Sequence, residues 1–145
     1  MTKLIFLFFI LFTGCGDSPF LSDESQPVVR GDHLLDSDLS FAQSEIRIKV
    51  FWRVGPLIGD ESQLLLVLHD KNGRPASVKG KLDLMLWMPT MGHGSFPVKV
   101  SEIGMGIYEA KDVFFTMPGL WDIHFQIKEL GTDQIIEDFK WPLNL

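Results

Sequence analysis

A chain of 145 residues with 46% hydrophobic and 12% aromatic content is long enough for one packed domain and too apolar to be disordered as a whole. Its formal charge is −6, and removing residues 1–14 would take away only Lys3, leaving 12 basic against 19 acidic residues, or −7. That balance argues against nucleic acid and anionic lipid headgroups as partners, because both reward clustered Lys and Arg.

The amino terminus has the form of a targeting segment. Lys3 supplies a short positive region, and Leu4 to Phe12 form an unbroken apolar run of nine residues. A bilayer span needs about 20 apolar residues, so this run suits a signal-peptide core instead. It ends in Leu11-Phe12-Thr13-Gly14-Cys15, with small residues directly before the only cysteine. This resembles a bacterial lipoprotein processing site, which implies cleavage before Cys15 and lipidation of Cys15; a conventional signal peptide with an incidental thiol is the other reading. Residues 1–14 are therefore expected to be signal, and the mature protein is expected to be membrane-anchored outside the cytoplasm through the lipid on Cys15. Gly16 and Asp17 follow, which by resemblance to sorting rules in diderm bacteria favours the outer membrane, facing the periplasm. With Cys15 lipidated, disulfides, zinc–thiolate clusters and cysteine catalysis are all excluded.

Residues 15–43 are rich in Ser, Asp, Pro and Gly without an apolar period, and are expected to be a flexible spacer. Asp32, Asp36 and Asp38 lack the glycine pivot and the bidentate Glu of a calcium loop. From residue 44 to 145 the pattern is that of strands. Ile46, Ile48, Val50, Trp52 and Val54 alternate with Arg47, Lys49 and Arg53, and Leu64, Leu66 and Leu68 mark a second strand. Asp70-Lys71-Asn72-Gly73-Arg74-Pro75 is a dense turn signal. Leu82, Leu84, Leu86 and Met88 mark the third strand, and Phe96, Val98 and Val100 the fourth.

In the next segment, Tyr108 and Ala110 share one phase while Val113, Phe115 and Met117 share the other. One extra residue near Lys111-Asp112, a β-bulge, would put both sets on one face. Trp121, Ile123, Phe125 and Ile127 mark a sixth strand, and Ile135, Glu137, Phe139 and Trp141 a seventh. Seven short strands and no amphipathic helix predict an all-β, immunoglobulin-like antiparallel β-sandwich, with a small closed barrel as the alternative. Trp52, Trp121 and Trp141 are the expected core anchors.

Between the third and fourth strands lies Met88-Pro89-Thr90-Met91-Gly92-His93-Gly94, a shaped loop carrying two thioethers and an imidazole. If successive strands run antiparallel, the connections 55–61, 89–94 and 118–119 share one end, so that Met117 approaches Met91 and His93. His69 and Met105 go to the other end. Thioether sulfur is soft and uncharged, and with imidazole it suits Cu(I) rather than zinc, magnesium or calcium. Met91, His93 and Met117 are the first candidate ligands. Met88 is the fourth, because its phase points it inward, and His124 is expected on the solvent side. The competing reading is a turn whose methionines pack on Trp87 or Trp121 through sulfur–aromatic contacts.

The elements Gly73-Arg74-Pro75, Met88-Pro89-Thr90-Met91-Gly92-His93-Gly94, Gly106-Ile107-Tyr108 and Met117-Pro118-Gly119-Leu120-Trp121 resemble the YtkA-like domain family, related to FixH-like proteins, over about residues 44 to 141. The resemblance implies an immunoglobulin-like sandwich in a secreted or membrane-anchored bacterial protein, with some members linked to metal handling or respiratory-oxidase maturation. No enzyme signature is present: Ser95 beside His93 is not a triad, Asp83 has no motif around it, and phosphate loops, zinc-protease helices and dinucleotide fingerprints are missing. The expectation is a non-enzymatic envelope protein that binds Cu(I), against a metal-free module that binds an envelope protein partner.

Overall fold

A computed structural model of the chain describes residues 39–145. The signal segment, Cys15 and most of the spacer lie outside the described residues. Nine strands are formed: β1 Leu39–Phe41, β2 Ile46–Val54, β3 Glu61–His69, β4 Lys81–Met88, β5 His93–Gly94, β6 Lys99–Gly104, β7 Ile107–Phe114, β8 Leu120–Lys128 and β9 Ile135–Asn144. They make two antiparallel sheets, ordered β1-β2-β3-β7-β6 and β5-β4-β8-β9, stacked as an immunoglobulin-like sandwich rather than a closed barrel.

The period-two patterns bury the sets of residues that alternation requires. In β2, Ile46, Ile48, Val50 and Trp52 face the core, and in β3 Leu64, Leu66 and Leu68 are fully enclosed. Leu82, Leu84, Leu86 and Met88 of β4 lie opposite Trp121, Ile123, Phe125 and Ile127 of β8, and all eight are buried. Trp52, Trp121 and Trp141 are buried as expected; Trp52 packs against Phe115 and Trp141 with ring centroids 6.0 and 6.2 Å apart.

The bulge in β7 is present. Ser62 pairs with Val113 and Leu64 with Ala110, so Lys111 and Asp112 together oppose Gln63. Asp112 takes φ +59°, the left-handed conformation that absorbs the extra residue. Its backbone N–H donates to Glu61 Oε1 at 3.2 Å, and its carboxylate pairs with Lys99 at 2.8 Å. Tyr108, Ala110, Val113 and Phe115 are thereby all buried on one face.

Three details differ from the pattern read along the sequence. Strand β1 lies within the stretch expected to be spacer, because Leu39 and Phe41 are an i, i+2 pair and Phe41 inserts against Phe139 with centroids 4.8 Å apart. The turn after it is held from β9: the buried Glu137 carboxylate accepts from Gln43 N at 2.7 Å and from Ser44 Oγ at 2.8 Å. Phe96 was expected on the buried face with Val98 and Val100, yet it is 63% exposed. Pro97 has no N–H to continue a ladder, so the chain leaves β5 there, crosses to the other sheet and becomes regular only at Lys99. In β9, a register shift between the pairs Ile127–Glu137 and Lys128–Ile135 turns Ile135 outward.

Candidate metal site at one end of the sandwich

Three connections meet at the end of the sandwich where β2, β4 and β7 finish. The loop after β2 is tied to the one after β7 by Gly59 N–H donating to Phe115 O at 2.8 Å and by a bridge between Ile58 and Phe115. The turn after β4 is closed by Met91 N–H and Gly92 N–H, which donate to Met88 O at 3.2 and 2.9 Å. Gly92 there takes φ +67°, which a residue with a Cβ adopts only with strain. His69 and Met105 lie at the other end, where Leu68 N–H bonds Gly106 O.

The turn delivers His93 directly across from Met88 in the β4–β5 ladder. Cross-strand partners share a face. Met88 points inward and is buried, so the His93 imidazole also turns toward the space between the sheets. It stops at the mouth, half-buried, with its ring edge-on to Trp121 at a centroid distance of 6.3 Å and an interplanar angle of 79°. Trp121 is completely buried and stacks edge-to-face on Phe115 at 5.5 Å, so it forms a rigid floor. Its indole N–H donates to Met117 O at 3.0 Å. One indole therefore contacts the imidazole from the four-stranded sheet and the Met117 backbone from the connection after the five-stranded sheet.

The four candidate ligands differ in their surroundings. Met117 is half-buried and packs against the core, whereas Met91 is 61% exposed at the turn. Met88 is a core residue: its terminal methyl carbon lies 2.6 Å from where a Cβ on Gly119 would be, so Gly119 leaves the space that the thioether fills. His93 Nδ1 lies 3.1 Å from Gly94 O. A carbonyl only accepts, so Nδ1 carries a proton, and in the neutral ring Nε2 keeps its lone pair. Beside the ring, His93, Gly94, Ser95, Phe96 and Thr116 line an open hollow of about 250 Å³.

The site is electrically quiet. Residues 89–94 and 115–119 contain no charged side chain. Ser95 Oγ donates to the Phe114 carbonyl, and Asp83 pairs with Lys128. Among the described residues, no group of three or more His, Cys, Asp or Glu is placed to hold a metal ion. The available donors are neutral imidazole and thioether, a set that fits a soft monovalent ion and does not fit calcium, magnesium or structural zinc. Reading along the strands named Trp121 as a core anchor and as a packing partner for the methionines, but missed its edge-on contact with His93 and its N–H bond to Met117 O, which spans a turn. The exposed Phe96 was missed as well; its signal was Pro97, directly after it.

The fold and the mouth define a class: a small antiparallel β-sandwich with a Met/His-bearing loop at one end. The YtkA-like family matches residues 50–126, more than half of the chain, and the protein belongs to that family. The matched range runs from the middle of β2 into the last third of β8 and includes Met88, Met91, His93 and Met117. No curated protein matches the chain.

Proposed function

We propose that this protein is a lipid-anchored protein of the cell envelope, attached through Cys15, whose sandwich binds one Cu(I) ion through Met91, His93 and Met117. The observation that carries this reading is the state of His93: Nδ1 is engaged by Gly94 O, Nε2 is left with its lone pair, and the ring shares Trp121 with the Met117 backbone. The half-buried Met117 and the exposed Met91 give one fixed and one adaptable thioether, and Met88 packs behind them. When bound, Cu(I) would supply a soft centre that the imidazole orients and the thioethers stabilise without deprotonation.

The test is an anaerobic Cu(I) titration against a chromogenic chelator, using the full chain in detergent with Cys15→Ser so that a free thiol does not compete. One equivalent should withdraw copper from the chelator at this site, and Met91→Ala or His93→Ala should weaken it at least tenfold. Failure of the site to compete would favour a second reading, a metal-free module that docks on an envelope protein. That reading draws support from the exposed Leu57, Ile58 and Met91 on the loops at the same end. Lipidation is tested separately: fatty-acid label should enter the wild-type chain in cells and be lost in Cys15→Ala.

A further inference from the structure

The outer face of the four-stranded sheet carries three cross-strand carboxylate pairs. Asp83 pairs with Lys128, Asp122 with Lys140 at 2.8 Å, and between them Asp138 accepts from His124 Nδ1 at 3.1 Å. In the outer two pairs the cation is an ammonium, whose charge the carboxylate meets directly. In the middle pair the carboxylate's partner is an imidazole, and a second ring nitrogen remains. Lys140 stands directly across from His124 on β9, but its ammonium is drawn aside to Asp122. On the other flank, directly across on β4, stands Met85.

We infer that Met85 and His124 form a second soft-cation site, distinct from the one at the mouth, with Asp138 as the residue that positions the imidazole. Directly opposed residues in an antiparallel pair have Cβ atoms about 4.5–5.5 Å apart, so thioether and imidazole can close on one ion. The carboxylate fixes the tautomer: with the proton on Nδ1 and that nitrogen turned toward β9, Nε2 presents its lone pair on the opposite side of the ring, where β4 lies. A carboxylate behind a histidine is the arrangement by which proteins orient a metal-ligating ring. Met85 is 39% exposed, so the thioether is accessible and little of it serves the core. The His124 side chain is 18% exposed, enough shelter to hold one rotamer. One neutral nitrogen and one neutral sulfur suit a near-linear monovalent ion, Cu(I) or its redox-inert analogue Ag(I), and supply too few hard donors for a divalent one.

The two sites are separable. Met85 and Met88 lie three residues apart on β4, about 10 Å along the strand, and face opposite sides of the sheet. The same ion cannot reach both.

The experiment is a titration of the full Cys15→Ser chain in detergent with Ag(I), followed by NMR of the methionine methyl groups and histidine ring nitrogens. The expected result is a shift of the Met85 methyl and His124 Nε2 signals saturating at one equivalent, additional to any shift at His93. Met85→Leu, which keeps volume and removes sulfur, should abolish the His124 shift while the fold, read by circular dichroism, is retained. Asp138→Asn should weaken Ag(I) at His124 by about 10-fold or more, the range expected for loss of a residue that orients a ligand. Saturating Ag(I) that leaves Met85 and His124 unmoved overturns the proposal, as does a His124 shift that persists in Met85→Leu. Shifts at Met85 and His124 in a chain whose His93 stays silent would sink the reading of the mouth and leave this one standing.

Discussion

The two ends of the sandwich are closed by different chemistry. At the end away from His93, carboxylates do the work. Asp70 Oδ1 accepts from Asn72 N and Arg74 N at 2.8 and 3.0 Å and Oδ2 receives the Arg74 guanidinium, Glu102 accepts from Ser77 and from Gly106 N, Glu137 holds the β1–β2 turn, and Glu45 meets Lys71. At the His93 end the carboxylates stay on the flank, where Asp60 accepts from Glu61 N and Glu61 from Asp112 N, while neutral groups line the mouth: the buried Ser62 Oγ accepts from Leu57 N at 2.8 Å, Ser95 bonds Phe114 O, and aromatic rings fill the floor. A turn that consumes its polar side chains in its own closure has none left for a ligand. The turn at 89–92 is closed by backbone bonds, so the Met91 thioether and the second ring nitrogen of the adjoining His93 remain unspent.

The strongest way to break this contrast is to remove the floor. Trp121→Ala should destabilise the protein by about 3–5 kcal/mol, read by urea denaturation, because it leaves a cavity under both Phe115 and His93; a cost below about 1 kcal/mol would mean the floor is not structural. Next comes Glu137→Ala at the opposite end, expected to cost about 1–3 kcal/mol by removing the charge-assisted bonds that Gln43 N and Ser44 Oγ make to its carboxylate. A stability unchanged by that substitution would show that β1 is held by Phe41 alone.

Metal affinity separates the ends more selectively. Met117→Leu should lower Cu(I) affinity at least tenfold, about 1.4 kcal/mol, whereas Met105→Leu, exposed at the carboxylate end, should leave it unchanged. Equal losses from both would point to unspecific thioether binding.

The smallest effect concerns pH. The backbone N–H of Arg74, with its guanidinium and the N–H of Asn72, holds the Asp70 carboxyl at about 2, against an ordinary value of 3.8. A depressed folded-state value contributes stability that is present above the unfolded one and lost as pH falls through the window from about 4 to 2. Asp70→Ala should therefore flatten the acid limb of the stability profile there. A limb unchanged by that substitution would assign acid sensitivity elsewhere.

Much of this was legible before any coordinates. Strand phase placed Met88 inward, and the mismatch between Tyr108–Ala110 and Val113–Met117 located the bulge at Lys111-Asp112. Counting antiparallel turns put 55–61, 89–94 and 118–119 at one end. Those inferences succeed because parity along a strand is a local property of the chain. What escaped depends on pairing between strands. Leu39–Phe41 is too short to show a period and is a strand only because β2 and Phe139 receive it. The His124–Asp138 pair was invisible because the shift in register near Ile135 decides which β9 residue lies beside His124.

The bulge also bears on how such a mouth can be gained or lost through descent. Residues 111 and 112 together occupy one pairing position, so deleting a single codon there would restore a regular ladder with Ala110 and Val113 still on one face, whereas deleting one just after the bulge would invert the facing of every residue that follows. With the upstream part of β7 held in place, loss of Phe114 would turn Thr116 toward the core side and Met117 away from it, removing the thioether from the mouth. A lineage can thus switch the donor set of this end by one in-frame insertion or deletion some distance from the loop itself, while the sequence of that loop stays untouched.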